Sequence, residues 1–234
     1  MTVRFGDRPG DKRMVEVIAE RVRGTRPGEI PARLCDVAVE LLPVIGASVS
    51  LRARGVPIRL SSTDDRAAQL AEIQTTLGDG PCQSAGASGT PVLASDLTSG
   101  LDARRWPVFA QEATAVGIRA VYALPLGTDR VCVGTLDLYR DTVGRLTPGE
   151  LYTAGCVARA MTVSLTDLSR RARLGGLVAD HDEINQATGM IMAQLGVGAN
   201  EALARLRAHA FAQGRTVLAA ARELVVRRRR LDRG

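Results

Sequence analysis

The sequence is poor in the residues that bind metals, haems and other cofactors. It has 2 histidines and 4 cysteines among 234 residues, and Cys35, Cys82, Cys132 and Cys156 lie far apart. Zinc and haem sites need such ligands in clusters or at short spacings. We therefore expect no metal site, no cofactor and no disulfide framework, and we interpret the cysteines as buried or single thiols.

Long apolar runs are missing as well. No apolar stretch approaches the ~18–20 residues that cross a bilayer, and the first residues, MTVRFGDRPGDKRM, carry no apolar segment after their basic residues. We therefore expect no membrane span, no secretory signal and a cytoplasmic location. The composition, 45% apolar and 24% charged residues, is typical of a globular protein with one or two domains.

Catalytic motifs are a third absence. The sequence has no Ser/His/Asp set, no paired acidic motif and no GxxxxGK phosphate loop, so we expect no catalytic residues and no enzyme. The alternative is a redox enzyme or thiol sensor centred on Cys82, because a thiol in a loop can be reactive. A catalytic thiol cycle would need a second, resolving cysteine, and none lies near Cys82 in the sequence.

The first 140 residues alternate between helical and strand patterns. The helical patterns, with apolar residues three and four positions apart, are Val15–Arg23, Ala32–Val44, Ala67–Leu77 and Trp106–Val116. The strand patterns, which alternate or form short apolar runs between turns, are Val49–Ala53, Val56–Leu60, Pro91–Ala94, Ile118–Leu126 and Val131–Tyr139. Ser62 or Thr63 is expected to cap the third helix. This order predicts an α+β domain, an antiparallel sheet with flanking helices.

A long helix is predicted after this domain. Thr147-Pro148-Gly149-Glu150 has the form of a capping box with proline at the first helical position. Apolar residues then recur three and four positions apart, at Leu151, Ala154, Ala158, Met161, Leu165 and Leu168. This spacing favours a helix that joins two copies of the chain as a parallel homodimer. The alternative is that the helix packs on its own domain. Gly175-Gly176 is a plausible hinge after it.

The C-terminal third is predicted to form three short amphipathic helices between Ile184 and Val225. Residues 167–234 contain 12 of the 31 basic residues but 7 of the 25 acidic ones. This excess of positive charge favours an anionic partner. Phe211 is the one aromatic residue in this third, so base stacking on aromatic side chains is not the expected mode of binding.

Four stretches of the N-terminal part resemble the GAF domain, a small-molecule sensor fold. They are Gly78–Cys82 (GDGPC), Thr90–Leu97 (TPVLASDL), and Gly117–Leu126 with Val133–Tyr139. The resemblance covers about Val15 to Leu168 and implies a ligand held between the sheet and the helix and loops over one of its faces. The residues expected near this pocket are Leu51, Leu60, Leu77, Cys82, Trp106, Tyr122 and Leu124. The alternative is that they only fill the core.

The C-terminal helices resemble the ANTAR domain, the RNA-binding output module of bacterial antitermination regulators. The matching residues are Ile184, Ala187, Gly189, Ile191 and Met192, then Glu201, Ala202, Leu206, Arg207 and Ala210, then Ala221. The resemblance implies that a dimer binds RNA hairpins in nascent transcripts, so that transcription continues past a terminator. The expected RNA-binding residues are Gln186, Thr188, Gly189, Arg205, Arg207, Arg215 and Arg222.

The chain departs from this family at three positions. It has Thr188 where the family usually has lysine, His181 where arginine is frequent, and Gly214 where asparagine is common. Two of these changes remove expected phosphate or base contacts, and RNA affinity depends strongly on cationic contacts.

The expected organisation has four parts. A tail (1–14) precedes a GAF-like domain that ends in the connecting, dimerising helix (15–170), and an ANTAR-like domain (171–230) precedes a short tail (231–234). We expect a cytoplasmic, homodimeric, signal-responsive antitermination regulator whose partners are RNA hairpins and a small-molecule effector. The alternative is a ligand- or redox-sensing dimer whose C-terminal helices bind DNA or a protein.

Overall fold

The computed structural model describes residues 9–53, 56–128, 131–171 and 179–231. Its centre is a five-stranded antiparallel sheet with the order β2-β1-β5-β4-β3. The strands are β1 (Gly46–Ala53), β2 (Val56–Ser62), β3 (Val92–Ala94), β4 (Ala120–Thr128) and β5 (Val131–Arg140). The predicted α+β fold is therefore confirmed.

Ten helices flank or follow the sheet within these described ranges. Those of the N-terminal part are α1 (Pro9–Val22), α2 (Ile30–Leu41), α3 (Asp65–Leu77), α4 (Pro81–Ser88), α5 (Gly100–Arg105) and α6 (Pro107–Ala115). The others are α7 (Pro148–Arg171), α8 (Ala179–Leu195), α9 (Ala199–Ala212) and α10 (Val217–Leu231). A 3₁₀ turn, Pro27–Glu29, precedes α2.

One face of the sheet packs against α2 and α7, and α1 packs on that helix pair. Side chains of β1, β4 and β5 that point to this face are apolar, as in Val49, Leu124 and Leu136. They meet the apolar side of α7, which includes Met161 and Leu165. Because successive residues of a strand point to opposite faces, the neighbours of these residues must line the other face.

The other face is covered by α3 and α4, and α6 packs beside α3 in the same apolar cluster. Its apolar part surrounds Leu70, Phe109 and Tyr139. Next to this part, between β1 and β5 and the helices α3 and α4, the buried side chains are polar. They are Ser48, Ser50, Gln74, Thr135 and Asp137.

The C-terminal helices form a small bundle of their own. Helix α10 packs on α8 and α9 around Ile184, Leu206 and Val225. Both α9 and α10 also contact α3 of the sheet domain. A bundle of this size gains little free energy of folding from its own core, so additional contacts with the rest of the chain are expected to stabilise it.

The capping box before α7 is confirmed. The backbone N–H of Thr147 donates to Glu150 Oε2 at 2.7 Å, and the N–H of Glu150 donates to Thr147 Oγ1 at 3.2 Å. Helix α7 is 24 residues long. The expected hinge at Gly175 and Gly176 lies outside the described residues.

Four details of the predicted elements are corrected. The cap of α3 is Asp64, whose Oδ1 accepts the N–H of Ala67 at 2.8 Å, instead of Ser62 or Thr63. Helix α1 begins at Pro9, so part of the expected N-terminal tail is helical. Helix α4 was not expected. Helix α5 was not expected either, whereas the helix expected from Trp106 to Val116 is present as α6, which begins at Pro107.

Candidate sensor site and nucleic-acid interface

Four buried polar side chains form a connected cluster between the sheet and helices α3 and α4. Gln74 Nε2 donates to Asp137 Oδ2 at 3.1 Å, and Gln74 Oε1 accepts the backbone N–H of Cys82 at 2.7 Å. Cys82 Sγ lies 3.0 Å from Thr135 Oγ1. We call Gln74, Cys82, Thr135 and Asp137 the buried polar cluster. It connects the middle of the sheet to the end of α3 and the start of α4.

The local sequence explains how these side chains meet. In β5, Leu136 points to the α2–α7 face, so its neighbours Thr135 and Asp137 point to the α3–α4 face. Gly80 has a φ of 126°, a conformation that favours glycine, and a Cβ there would press on the Gln74 side chain. Glycine therefore lets the chain turn tightly from α3 into α4, which brings the Cys82 amide to Gln74.

The cluster is electrostatically unusual because a carboxyl group is buried in it. Burial raises the pKa of Asp137 from 3.8 to about 7, and hydrogen bonds from Cys82 and Gln74 partly oppose that rise. Asp137 Oδ1 and Ser48 Oγ are buried and lack a hydrogen-bond partner within the described ranges. Such atoms usually have a partner in native proteins. They are therefore candidate acceptors for a ligand.

The Cys82 thiol is a poor nucleophile in this environment. Burial raises its pKa well above the usual range, and the nearby Asp137 carboxyl adds to the rise. A reactive cysteine needs a thiolate, which these surroundings disfavour. Among the described residues, no three His, Cys, Asp or Glu side chains are grouped as metal ligands would be.

The seven residues expected around one pocket are not brought together. Leu51, Leu60, Tyr122 and Leu124 belong to the core on the α2–α7 face. Leu77, Cys82 and Trp106 lie on the α3–α4 side, where Trp106 Nε1 donates to Ser84 Oγ at 3.3 Å. Strand alternation separates the two faces of the sheet, and the seven residues come from both. A ligand on the α3–α4 side could contact only the second group.

The residues expected to bind RNA differ in their surroundings: some are exposed, one is buried, and one contacts the sheet domain. Gln186 and Gly189 are exposed on α8. Thr188 is buried, and its hydroxyl donates to the Ile184 carbonyl at 2.7 Å. Thr188 therefore does not share an exposed surface with Arg215 and Arg222, since its hydroxyl bonds the preceding turn of its own helix.

Three of the expected arginines are exposed and form ion pairs within the C-terminal bundle. Arg205 pairs with Glu201 at 2.6 Å, and Arg222 with Glu183 at 2.7 Å. Arg215 pairs with Glu223. Exposed pairs of this kind contribute about 0–1 kcal/mol. A phosphate group could therefore replace the carboxylates at little cost.

Arg207 is placed differently, because it contacts the sheet domain. Its Nε donates to the carbonyl oxygen of Thr75 at 3.2 Å, and its guanidinium group lies against Gly78. Next to it, the backbone N–H of Val217 donates to Thr76 Oγ1 at 3.1 Å. The end of α3 is thus joined to α9 and to the start of α10.

Comparison with known families agrees with this division. The GAF domain family matches residues 27–165, and the ANTAR domain family matches residues 172–225. The chain belongs to the GAF family and carries an ANTAR domain. This order is that of an ANTAR regulator controlled by a GAF domain, as the sequence motifs predicted. No curated protein matches the chain in sequence.

Solved structures support the GAF fold. The chain is similar to the GAF domain of a phosphoenolpyruvate-protein phosphotransferase from Acinetobacter, with a TM-score of 0.54 and 8% identity, over 72% of this chain and 100% of that one. The corresponding domain from Coxiella burnetii has a TM-score of 0.54 and 13% identity, over 70% and 97%. At such identities the likeness concerns the fold alone.

The expected dimer residues lie mostly inside the GAF domain. Ala154, Ala158, Met161 and Leu165 are buried in the core that α7 shares with α2 and the sheet, and Leu151 and Leu168 are half-buried. This is the packing that the alternative interpretation predicted. The opposite side of α7 is accessible, with Val163 69% exposed.

Within the described residues, the structure contains no helix with the length and apolar character that a membrane span requires.

Proposed function

We propose that the protein is a cytoplasmic antitermination regulator whose ANTAR domain binds RNA hairpins in nascent transcripts under the control of the GAF domain. The observation that carries this proposal is an ANTAR domain with exposed arginines on two of its helices, Arg205 on α9 and Arg222 on α10. Hairpin phosphates would replace their acidic partners. Charge-assisted hydrogen bonds to phosphate are about twice as strong as neutral ones.

The GAF domain supplies the signal in this proposal. A small-molecule effector that donates hydrogen bonds would find acceptors in Asp137 Oδ1 and Ser48 Oγ. It would also compete with Gln74 and Cys82 for the other cluster atoms. The protein then acts as a regulator and not as an enzyme, which agrees with the suppressed reactivity of the Cys82 thiol.

A homodimer is also part of the proposal. The apolar seam of α7, including Met161, is buried in its own domain, so a second copy would contact another surface. The outer side of α7, with Val163, is available for this contact. Two ANTAR domains in one dimer would bind two hairpins with a higher overall affinity than one.

Filter binding of the full chain tests RNA recognition. The probes are RNA hairpins with random loops and duplex DNA of equal length, each measured over a series of salt concentrations. We expect selective retention of hairpin RNA. Arg222→Ala should weaken binding and reduce the magnitude of the salt slope by about 1, because it removes one phosphate contact.

The matched control is Arg104→Ala, which removes an exposed arginine of the GAF domain. It should leave both affinity and slope unchanged. Equal retention of duplex DNA would contradict the proposal and favour a DNA-binding regulator. Suppose that neither nucleic acid is retained, either by the wild-type chain or by a variant in which the contact between α3 and the ANTAR domain is broken. The C-terminal helices then do not bind nucleic acid.

A further inference from the structure

The contact between α3 and the ANTAR domain involves the very start of α10. Val217 is the first residue of that helix and is fully buried. The first backbone N–H groups of a helix have no partner within the helix. Thr216 Oγ1 accepts the N–H of Ala219 at 3.1 Å, and Thr76 of the GAF domain accepts the N–H of Val217. The GAF domain therefore supplies part of the cap of an ANTAR helix.

The same contact partly buries Arg207, which was expected to bind RNA. Its Nη2 atom is buried and has no hydrogen-bond partner among the residues that the structure describes. Burial lowers the pKa of this guanidinium group, and the positive charge of Arg52 lowers it further. A buried cation without a carboxylate partner is unfavourable. The contact is therefore favourable through Thr76 and Thr75 and unfavourable through the charge of Arg207.

We propose that this contact is an autoinhibitory latch, formed by Thr75 and Thr76 of α3 with Arg207 and Val217 of the ANTAR domain. While the latch is closed, Arg207 and the start of α10 are withheld from RNA. When it opens, Arg207 exchanges a partly buried site, where its Nη2 has no partner among the described residues, for a phosphate. This inference rests on the proposed function, because it describes how the GAF domain controls the same RNA-binding surface.

The latch is directly connected to the buried polar cluster. Gln74, Thr75 and Thr76 are consecutive residues in the last turn of α3. Gln74 bonds Asp137 and the Cys82 amide, Thr75 bonds Arg207, and Thr76 bonds Val217. A ligand that replaces Gln74 at Asp137 would move this turn. The latch would then lose its geometry, since hydrogen bonds weaken steeply when donor and acceptor are misaligned.

Thr76→Val tests the latch, because valine keeps the shape of threonine but cannot accept a hydrogen bond from Val217. Thr75→Val is the matched control, since the Thr75 hydroxyl donates to the Ala71 carbonyl of its own helix at 2.9 Å and the Thr75 carbonyl oxygen remains available to Arg207. Thr76→Ser retains the hydroxyl and should behave as the wild type. All three substitutions lie in the GAF domain, outside the proposed RNA surface.

Hydrogen–deuterium exchange of the full chain measures opening without RNA. In Thr76→Val, amides of residues 214–220 should exchange about tenfold faster, as expected when one buried hydrogen bond is lost. Affinity for a hairpin selected from the random-loop pool should rise several-fold in the same variant. Thr75→Val and Thr76→Ser should change neither quantity.

The outcomes separate the latch from the proposed function. Unchanged exchange in Thr76→Val would overturn the latch whatever RNA is bound. Faster exchange with unchanged affinity for a bound hairpin would overturn autoinhibition but leave RNA binding intact. Faster exchange with no RNA bound by any variant would overturn RNA binding itself, and the inhibition of RNA binding with it. A circular dichroism spectrum equal to that of the wild type confirms that each variant is folded.

Discussion

Gln74 and Asp137 are 63 residues apart in the chain and are joined by a buried hydrogen bond of 3.1 Å. This bond connects the central strand β5 to the last turn of α3. The other oxygen of Asp137 lacks a partner within the described residues. The pair therefore joins a buried carboxyl group of the GAF domain to the end of α3 that contacts the ANTAR domain.

The stability of the protein should depend on the proton of Asp137. Its pKa is about 7 in the folded chain, against an ordinary value of 3.8. The folded state thus retains a proton that the unfolded state releases. The contribution of this proton to the free energy of unfolding is complete below pH 3.8. It is lost as pH rises toward 7, by about 1.4 kcal/mol per pH unit within that window.

Asp137→Asn should remove this dependence. Denaturant unfolding between pH 4 and 8 should show the variant gaining stability relative to the wild type as pH rises, by a few kcal/mol in total. Asp141→Asn, at an exposed residue after β5, is the control and should follow the wild type. A constant difference between Asp137→Asn and wild type over this range would show that Asp137 is ionised throughout it in the folded protein.

Thiol labelling should distinguish a sensing cluster from a reactive cysteine. Cys35, Cys82 and Cys156 are buried, whereas Cys132 is half-buried. A thiol reagent should therefore modify about one thiol per native chain quickly and the others only on unfolding, because the reagent cannot reach a buried thiol in the folded chain. Rapid labelling that disappears in Cys82→Ala would favour the thiol-sensor alternative.

Helix α7 should be necessary for the stability of each GAF domain through its buried side. Met161→Ala removes a fully buried side chain and should cost about 2–5 kcal/mol in the free energy of unfolding. The mass of the Met161→Ala protein in sedimentation experiments should equal that of the wild type. Val163→Arg on the exposed side should be neutral for stability within about 0.5 kcal/mol and should shift a dimer toward monomer. If Met161→Ala alone changes the mass, the dimer uses the buried seam.

The order of elements could be predicted because their patterns are strong. Alternation identified β1 and β2, and the Thr147–Glu150 capping box gave the start of α7. Helix α4 was missed because its sequence, PCQSAGAS, consists of small residues without an apolar stripe. Such a helix forms because it is packed between its neighbours, and local sequence does not reveal that.

The candidate sensor site was predicted only in part. Cys82 was chosen from its loop, but Gln74, Thr135 and Asp137 were not. Alternation places Ser48 and Ser50 on one face of β1, but it does not show that helices cover that face. Since α3 and α4 cover that face, Ser48, Ser50 and Asp137 are buried. The sequence feature that could have indicated this buried polar site is the aspartate between Leu136 and Leu138 in β5.

The latch could not be foreseen, because it depends on how two domains pack. Arg207 was predicted to bind RNA from its place in the ANTAR pattern, and that role remains a proposal. Its contact with the Thr75 carbonyl joins residues 132 positions apart. No periodicity or spacing within either domain encodes such a contact.

The most direct test of RNA-based regulation is the sequencing of transcripts crosslinked to the protein in its own cells. The account predicts enrichment of hairpins that lie just upstream of terminators. It also predicts loss of that enrichment in Arg222→Ala but not in Arg104→Ala. A crosslinked pool with the same hairpin content as total RNA, unchanged by Arg222→Ala, would contradict the account.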